Sequence, residues 1–282
     1  MLEQIVKQIT DHNLNIYSVA MVDEEGIQER RLRAADPCTN SYSIAKVFTM
    51  TAIGMLWDAG KLRMEDRVCD IFRDQLPDGM DPRWEKVTVE HLLTQKAGLP
   101  FCFLDIDVDD LSQYPTDDFL CYVLSQPLQE NPGEKFVYSD AAFYLLGRIV
   151  TKISGQRLDD FMRPTLFGVL GYRELAWSVC PRGYCMGGTG LYLRTSDMVK
   201  LGYVYANDGM YGATRVLSSA WVKLAMERKY ELYPHANSGI YVKGGMNGQL
   251  LCIWPQRRTA FGWHGYDTEP VARIVLSPFE RS

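Results

Sequence analysis

No apolar run in this 282-residue chain approaches the ~20 residues that a helix needs to cross a bilayer, so nothing in it reads as a membrane span. The first residues, Met1-Leu2-Glu3-Gln4-Ile5-Val6-Lys7-Gln8-Ile9, read as an amphipathic helix and not as the continuous apolar core of a signal peptide. Positive charge is in the minority: 30 Lys and Arg against 35 Asp and Glu give a net charge of −5. That balance offers no electrostatic reason to expect nucleic acid or an anionic membrane as partner. Seven cysteines, an odd number without framework spacing, fit reduced thiols, and with no export signal the expectation is a cytoplasmic protein. Cys180 and Cys185, the one close pair, read as small core or loop residues. Gly187-Gly188-Thr189-Gly190 lacks the Lys-Ser/Thr of a phosphate loop and reads as a plain backbone turn. Lys and Arg are missing altogether from Ala97 to Glu134, whereas aspartates stand at 105, 107, 109, 110, 117 and 118. The Asp-x-Asp-x-Asp spacing there is similar to a calcium loop. Asp110, however, stands where that loop needs glycine, and no Glu closes it, so no metal is expected. There is no internal repeat and no low-complexity segment.

What is present is the composition of an ordinary globular chain, long enough for one large domain or two intertwined ones. Asn15 to Val22 reads as a strand, with Asp23-Glu24-Glu25-Gly26 as the turn into a second, more polar strand. From Leu62 to about Trp177 the pattern becomes short helices separated by loops, including a capped turn from Thr88 to Thr94 and a longer helix from Ser139 to Ile153. The long stretch from Pro100 to Pro115 reads as an active-site rim or lid. Helices follow around Ser196–Ala206 and Ser218–Glu227. Strand character then returns at Gly239–Val242, Gln249–Trp254 and Thr259–Trp263, before a last helix at Pro270–Leu276. Strands at both ends with helices between predict a sheet built from both termini. The expected organisation is a discontinuous α/β domain from residues 1–62 and 178–282, with a mostly helical insertion at 63–177.

The chemistry centres on Ser41-Tyr42-Ser43-Ile44-Ala45-Lys46 and the apolar stretch after it. Ile44, Val47, Phe48, Thr51, Met55 and Leu56 recur at helical spacing, predicting a buried amphipathic helix with Ser41 or Asn40 as N-cap and Gly60 as its stop. Ser43 then falls in the first turn, with Lys46 on the same face three residues on. A serine hydroxyl is a weak nucleophile until a neighbouring base takes its proton, and a lysine held neutral can do that.

Two further stretches, Tyr138-Ser139-Asp140 and Lys243-Gly244-Gly245-Met246, complete the pattern. In that order along the chain the set resembles the serine β-lactamase and penicillin-binding-protein superfamily, nearest its class C and esterase/amide-hydrolase branch. His91-Leu92-Leu93-Thr94…Gly98-Leu99, Gly188-Thr189-Gly190-Leu191-Tyr192 and Val216-Leu217-Ser218…Trp221-Val222 extend the likeness over nearly the whole chain. The resemblance implies a central antiparallel sheet flanked by helices, with an inserted helical domain. It implies Ser43 as an acylated nucleophile, Lys46 or Tyr138 as base, and Tyr138 as proton relay to the leaving group. Lys243 becomes a second cation, and the Ser43 and Met246 N–H groups an oxyanion hole. Repulsion between the two ammonium groups favours a neutral Lys46 or an ionised Tyr138. Trp263-His264-Gly265 is a rival for the third motif; Lys96-Ala97-Gly98 precedes Tyr138 and falls in a loop.

Two positions depart from the family pattern. Asp140 replaces an asparagine, so it can pair with Lys46 but cannot donate to a substrate carbonyl when ionised. Gly244 replaces a threonine or serine whose hydroxyl helps to hold a substrate carboxylate. Together they predict a hydrolase of small esters or amides that needs no metal or organic cofactor. The alternatives are a β-lactamase or D-alanyl peptidase, and a non-catalytic ligand-binding relative.

Overall fold

The computed structural model describes residues 1–280 apart from Leu111 and Gln113. Its main sheet is antiparallel, in the order Gly26–Arg31, Ile16–Asp23, Thr259–Gly265, Leu250–Trp254, Ile240–Gly244, Tyr233–His235. The N-terminal hairpin thus lies beside the C-terminal strands, with Ile16 opposite Gly265 and Met21 opposite Phe261. Side chains alternate between the two faces of a strand, and here both faces are buried. Ala20, Val22, Leu251, Ile253 and Ala260 enter the larger core beneath helix Thr195–Ala206. Val19, Met21, Leu250, Cys252 and Phe261 face the other way, under helices Leu2–Asp11 and Val271–Leu276.

Helix Ala45–Asp58 runs through the larger core against helix Asp140–Ser154. The amphipathic pattern expected of it does not hold: eleven of its fourteen residues are buried, because layers pack on every side. A Cβ on Gly54 would fall 2.3 Å from the Trp221 indole, so helix Ser219–Glu227 packs closely onto it. Each fully buried residue such as Phe48 or Leu56 contributes about 1.5–3 kcal/mol of apolar transfer free energy. Gly60, at φ +65 just past the end, occupies the left-handed position that stops a helix.

The entry to this helix also differs from expectation. Tyr42–Ile44 forms a 3-10 turn that precedes the α-helix, and Ser43 lies in that turn. Ser41 does not cap the helix; its N–H and its hydroxyl both donate to the Leu191 carbonyl, at 2.8 and 2.7 Å. Asn40 Oδ1 accepts the Tyr42 N–H instead. A small sheet of Thr39–Asn40, Leu191–Leu193 and Leu175–Trp177 fixes the chain just ahead of Ser43.

Between residues 63 and 177 lie helices Val68–Ile71, Val89–Leu93, Phe119–Leu124, Asp140–Ser154 and Leu158–Met162. Their apolar faces, from Val68 to Leu158, join the same larger core. Leu111 and Gln113 of the Pro100–Pro115 stretch, and Arg281 and Ser282 of the C-terminal segment, lie outside the described residues. The rest of that stretch is turns tied to the second motif. The Cys102 N–H donates to the Tyr138 carbonyl at 2.9 Å, and the Ala141 N–H to the Phe103 carbonyl at 3.0 Å.

Candidate active site

Ser43, Lys46, Tyr138 and Asp140 meet at one point. The 3-10 turn presents the partly exposed Ser43 hydroxyl, which is hydrogen-bonded to the Tyr138 hydroxyl. Three residues on, at the second position of the helix, Lys46 donates to Ser43 Oγ at 3.2 Å, to the Gly188 carbonyl at 2.8 Å and to Asp140 Oδ1. The Gly187-Gly188 turn is therefore more than a connection. Its two carbonyls receive Thr49 and Lys46, and a Cβ at Gly188 would sit 2.9 Å from Asp140 Oδ1.

These contacts decide the protonation of Lys46. An ammonium has three N–H donors and no acceptor, and three acceptors surround this nitrogen. Burial alone would pull its pKa down, but Asp140, reinforced by Tyr138 and Glu231, outweighs it and holds Lys46 above the ordinary lysine range. The neutral Lys46 expected from two repelling ammonium groups is thus corrected: each cation has a carboxylate of its own. Tyr138, with Lys46 Nζ 4.6 Å from its ring centre, is pushed up to about 12. Burial is the main cause there, Lys46 opposes it, and Asp140 and Glu231 reinforce it.

Lys243 stands on strand Ile240–Gly244, with Nζ 5.6 Å from the centre of the Tyr138 ring. It is 5% exposed and ion-paired with Glu231, which is fully buried. Burial lowers the pKa of Lys243, against the pull of Glu231. The strand end after it approaches the Ser43 turn so closely that a Cβ on Gly245 would fall 2.5 Å from the Ser41 carbonyl oxygen. Only glycine allows this approach, which brings the Gly245-Met246 backbone beside the Ser43 turn. Gly244 is exposed, and a Cβ there would meet nothing closer than 3.9 Å.

His264 is held elsewhere. It is fully buried on strand Thr259–Gly265, with Nδ1 2.8 Å from Thr195 Oγ1 under helix Thr195–Ala206. Burial lowers its pKa to about 3. Lys96 lies past helix Val89–Leu93, where its carbonyl accepts the Gly133 N–H.

Two residues at the site escape sequence reasoning. Gln95 is buried beneath the second motif: its carbonyl accepts the Val137 N–H at 2.8 Å and its Oε1 the Ser139 N–H at 3.1 Å. Its Nε2 donates to Glu231 Oε1 at 3.0 Å. Gln95 adjoins a stretch already singled out, His91 to Thr94, but Glu231 carries no motif at all. The aspartate-rich loop also reaches the site. Asp107 accepts from Asn40 Nδ2 at 3.3 Å and from the Thr189 hydroxyl, and Asp105 is raised to about 6, chiefly by burial and then by Asp140. Among the described residues no three His, Cys, Asp or Glu side chains are arranged to hold a metal ion.

A mixed fold with a central antiparallel sheet, carrying a serine, two lysines and a tyrosine gathered beside one another, defines the serine β-lactamase-like class. The family profile described as beta-lactamase matches residues 26–266, and the chain belongs to the β-lactamase family. Penicillin-binding protein 4 of Amycolatopsis lactamdurans is 28% identical over 228 residues, 68% of this chain and 57% of that protein. Esterase EstB of Burkholderia gladioli is 30% identical over 146 residues, 47% of this chain and 36% of that one. This chain spans about half, or less, of the length of these relatives. A family VIII carboxylesterase structure superposes with a TM-score of 0.76 at 17% identity, covering 99% of this chain and 96% of that one.

Proposed function

We propose that this protein is a serine hydrolase that cleaves a small ester or amide through an acyl-enzyme on Ser43. The observation that carries the reading is the Ser43 hydroxyl, in hydrogen-bond contact with both the Tyr138 hydroxyl and Lys46 Nζ. Lys46, held as an ammonium by Asp140, orients the serine, and Tyr138 takes the role of base in its phenolate form. Ser43 Oγ attacks the substrate carbonyl carbon as its proton passes to Tyr138. The oxyanion rests on the Ser43 and Met246 N–H groups. The C–O or C–N bond then breaks, and Tyr138 returns the proton to the leaving group. Water, deprotonated by the same tyrosine, releases the acid and frees Ser43.

Similarity to penicillin-binding protein 4 and to esterase EstB supports acyl transfer as the reaction class. Gly244, without a hydroxyl, favours esters and amides over β-lactams and D-alanyl peptides. All seven cysteines are free thiols, which supports a reducing compartment such as the cytoplasm; among the described residues no helix is long and apolar enough to cross a membrane. The test is intact-mass spectrometry after exposure to a fluorophosphonate. A stoichiometric adduct that maps to Ser43 is expected. An inert serine would support a second reading, favoured by the Asp140 clamp on Lys46: a binding protein that has kept the fold but not turnover.

A further inference from the structure

Glu231, Gln95 and Lys243 form a buried polar group beside Tyr138. Glu231 is fully buried, Gln95 is 1% and Lys243 5% exposed. Glu231 binds Lys243 through one carboxylate oxygen and Gln95 Nε2 through the other. Both Gln95 and Glu231 have φ of +56, in the left-handed region that side-chain-bearing residues seldom occupy. Such backbone strain persists where the surrounding structure has a use for it. A buried ion pair is, moreover, a weak source of stability, because desolvation consumes most of the attraction. Strain and buried charge therefore coincide beside Tyr138.

The geometry gives them a use. Lys243 immediately precedes the Gly244-Gly245 strand end that lines the cleft, so a free ammonium there would attract an anionic group on the acyl portion of a substrate. It is not free, because Glu231 already engages it. The two cations of the site, Lys46 and Lys243, are matched by two carboxylates, Asp140 and Glu231. Asp105 and Asp107 then bring further acidic groups to the rim.

We propose that Glu231 determines substrate charge: it occupies Lys243 as an internal substitute for a substrate carboxylate, and so reserves the site for acyl groups that carry none. This rests on Ser43 being the acylated serine. Gln95 holds the substitute in place while it pins the backbone on both sides of Tyr138, at Val137 and Ser139.

The test compares two esters with one leaving group, p-nitrophenyl butyrate and the monoanionic p-nitrophenyl succinate. In Glu231→Gln the ratio of kcat/KM for the anionic to the neutral ester should rise about ten- to a hundredfold, the gain of one hydrogen bond to a charged group. In Glu231→Gln/Lys243→Gln it should fall back to the unmodified ratio. An unchanged ratio in Glu231→Gln, with both esters slowed alike, would assign Glu231 a structural role only and overturn the inference. Should that variant fail to fold, the unmodified protein still decides the matter. Phenylacetate should protect Ser43 from a fluorophosphonate no better than phenylacetamide, and clearly better protection would show that Lys243 is open to anions. A serine that never labels in the unmodified protein would instead overturn the hydrolase reading, and this inference with it.

Discussion

Lys46 and Asp140 form an ion pair beneath Ser43, with the lysine side chain fully buried and the aspartate side chain 4% exposed. The carboxylate raises the pKa of Lys46 and of Tyr138 together, so the site rests with both protons in place. In the proposed mechanism activity depends on a minor ionised form of Tyr138, and kcat/KM should still be climbing at about pH 10.

Asp140→Asn follows directly. The amide keeps an acceptor for Lys46 but removes the negative charge. The rising limb of the pH–rate profile should move down by about one to three pH units, and kcat/KM at neutral pH should rise. A stopped-flow or plate assay of p-nitrophenyl butyrate from pH 6 to 11 reads the shift. A limb that stays in place would show that Asp140 does not control the base.

Ser43→Ala should abolish hydrolysis and fluorophosphonate labelling while leaving the fold intact. The serine caps no helix, since Asn40 takes the Tyr42 N–H and Ser41 binds Leu191. Loss of its contacts with Lys46 and Tyr138 costs about 1 kcal/mol, so calorimetry should show melting within a few degrees of the unmodified protein.

Gly244→Thr tests the missing hydroxyl. The position is exposed and its surroundings accept a Cβ without contact under 3.9 Å. One added hydrogen bond to a carboxylate should raise nitrocefin turnover about tenfold and leave p-nitrophenyl butyrate little changed. The gain should be greater in a Glu231→Gln background, where Lys243 is released to assist.

His264 makes the protein sensitive to acid. Its pKa is about 3 in the folded protein against an ordinary 6.5. Between those values the unfolded chain binds the extra proton, so stability is complete above about pH 6.5 and is lost as pH falls toward 3. The loss from this residue is at most about 1.4 kcal/mol per pH unit. Urea titrations should show a shallower pH slope in His264→Gln than in the unmodified protein; equal slopes would place the acid sensitivity elsewhere.

Sequence patterning revealed the strands from both termini because Val19, Ala20, Met21 and Val22 alternate between two apolar layers and the turn residues between strands are explicit. It found the buried helix after Ser43 but not its missing wet face, since periodicity identifies a helix with one wet face and this one has none. Asp140 was visible because it departs from a motif. Glu231 and Gln95 were not: they lie 136 residues apart, and their left-handed backbone is not marked by glycine. The partner that neutralises Lys243 was therefore unreadable, and with it the protonation of the whole cleft.

The pairing of Ile16–Asp23 with Thr259–Gly265 carries a consequence for how the molecule comes into being. During synthesis the hairpin of Ile16–Asp23 and Gly26–Arg31 waits for its neighbour until residues 32–258 have been made. Contacts so distant along the chain form slowly, and their exposed edges invite association meanwhile. Ser43, Lys46 and Tyr138 are made long before that moment, whereas the Gly245-Met246 edge is made only shortly before it. We expect a ribosome-stalled chain ending before Gly239 to be protease-sensitive and silent toward fluorophosphonate, with reactivity appearing only once the last strand has emerged. Labelling of the shorter stalled chain would show that the nucleophile is competent without it.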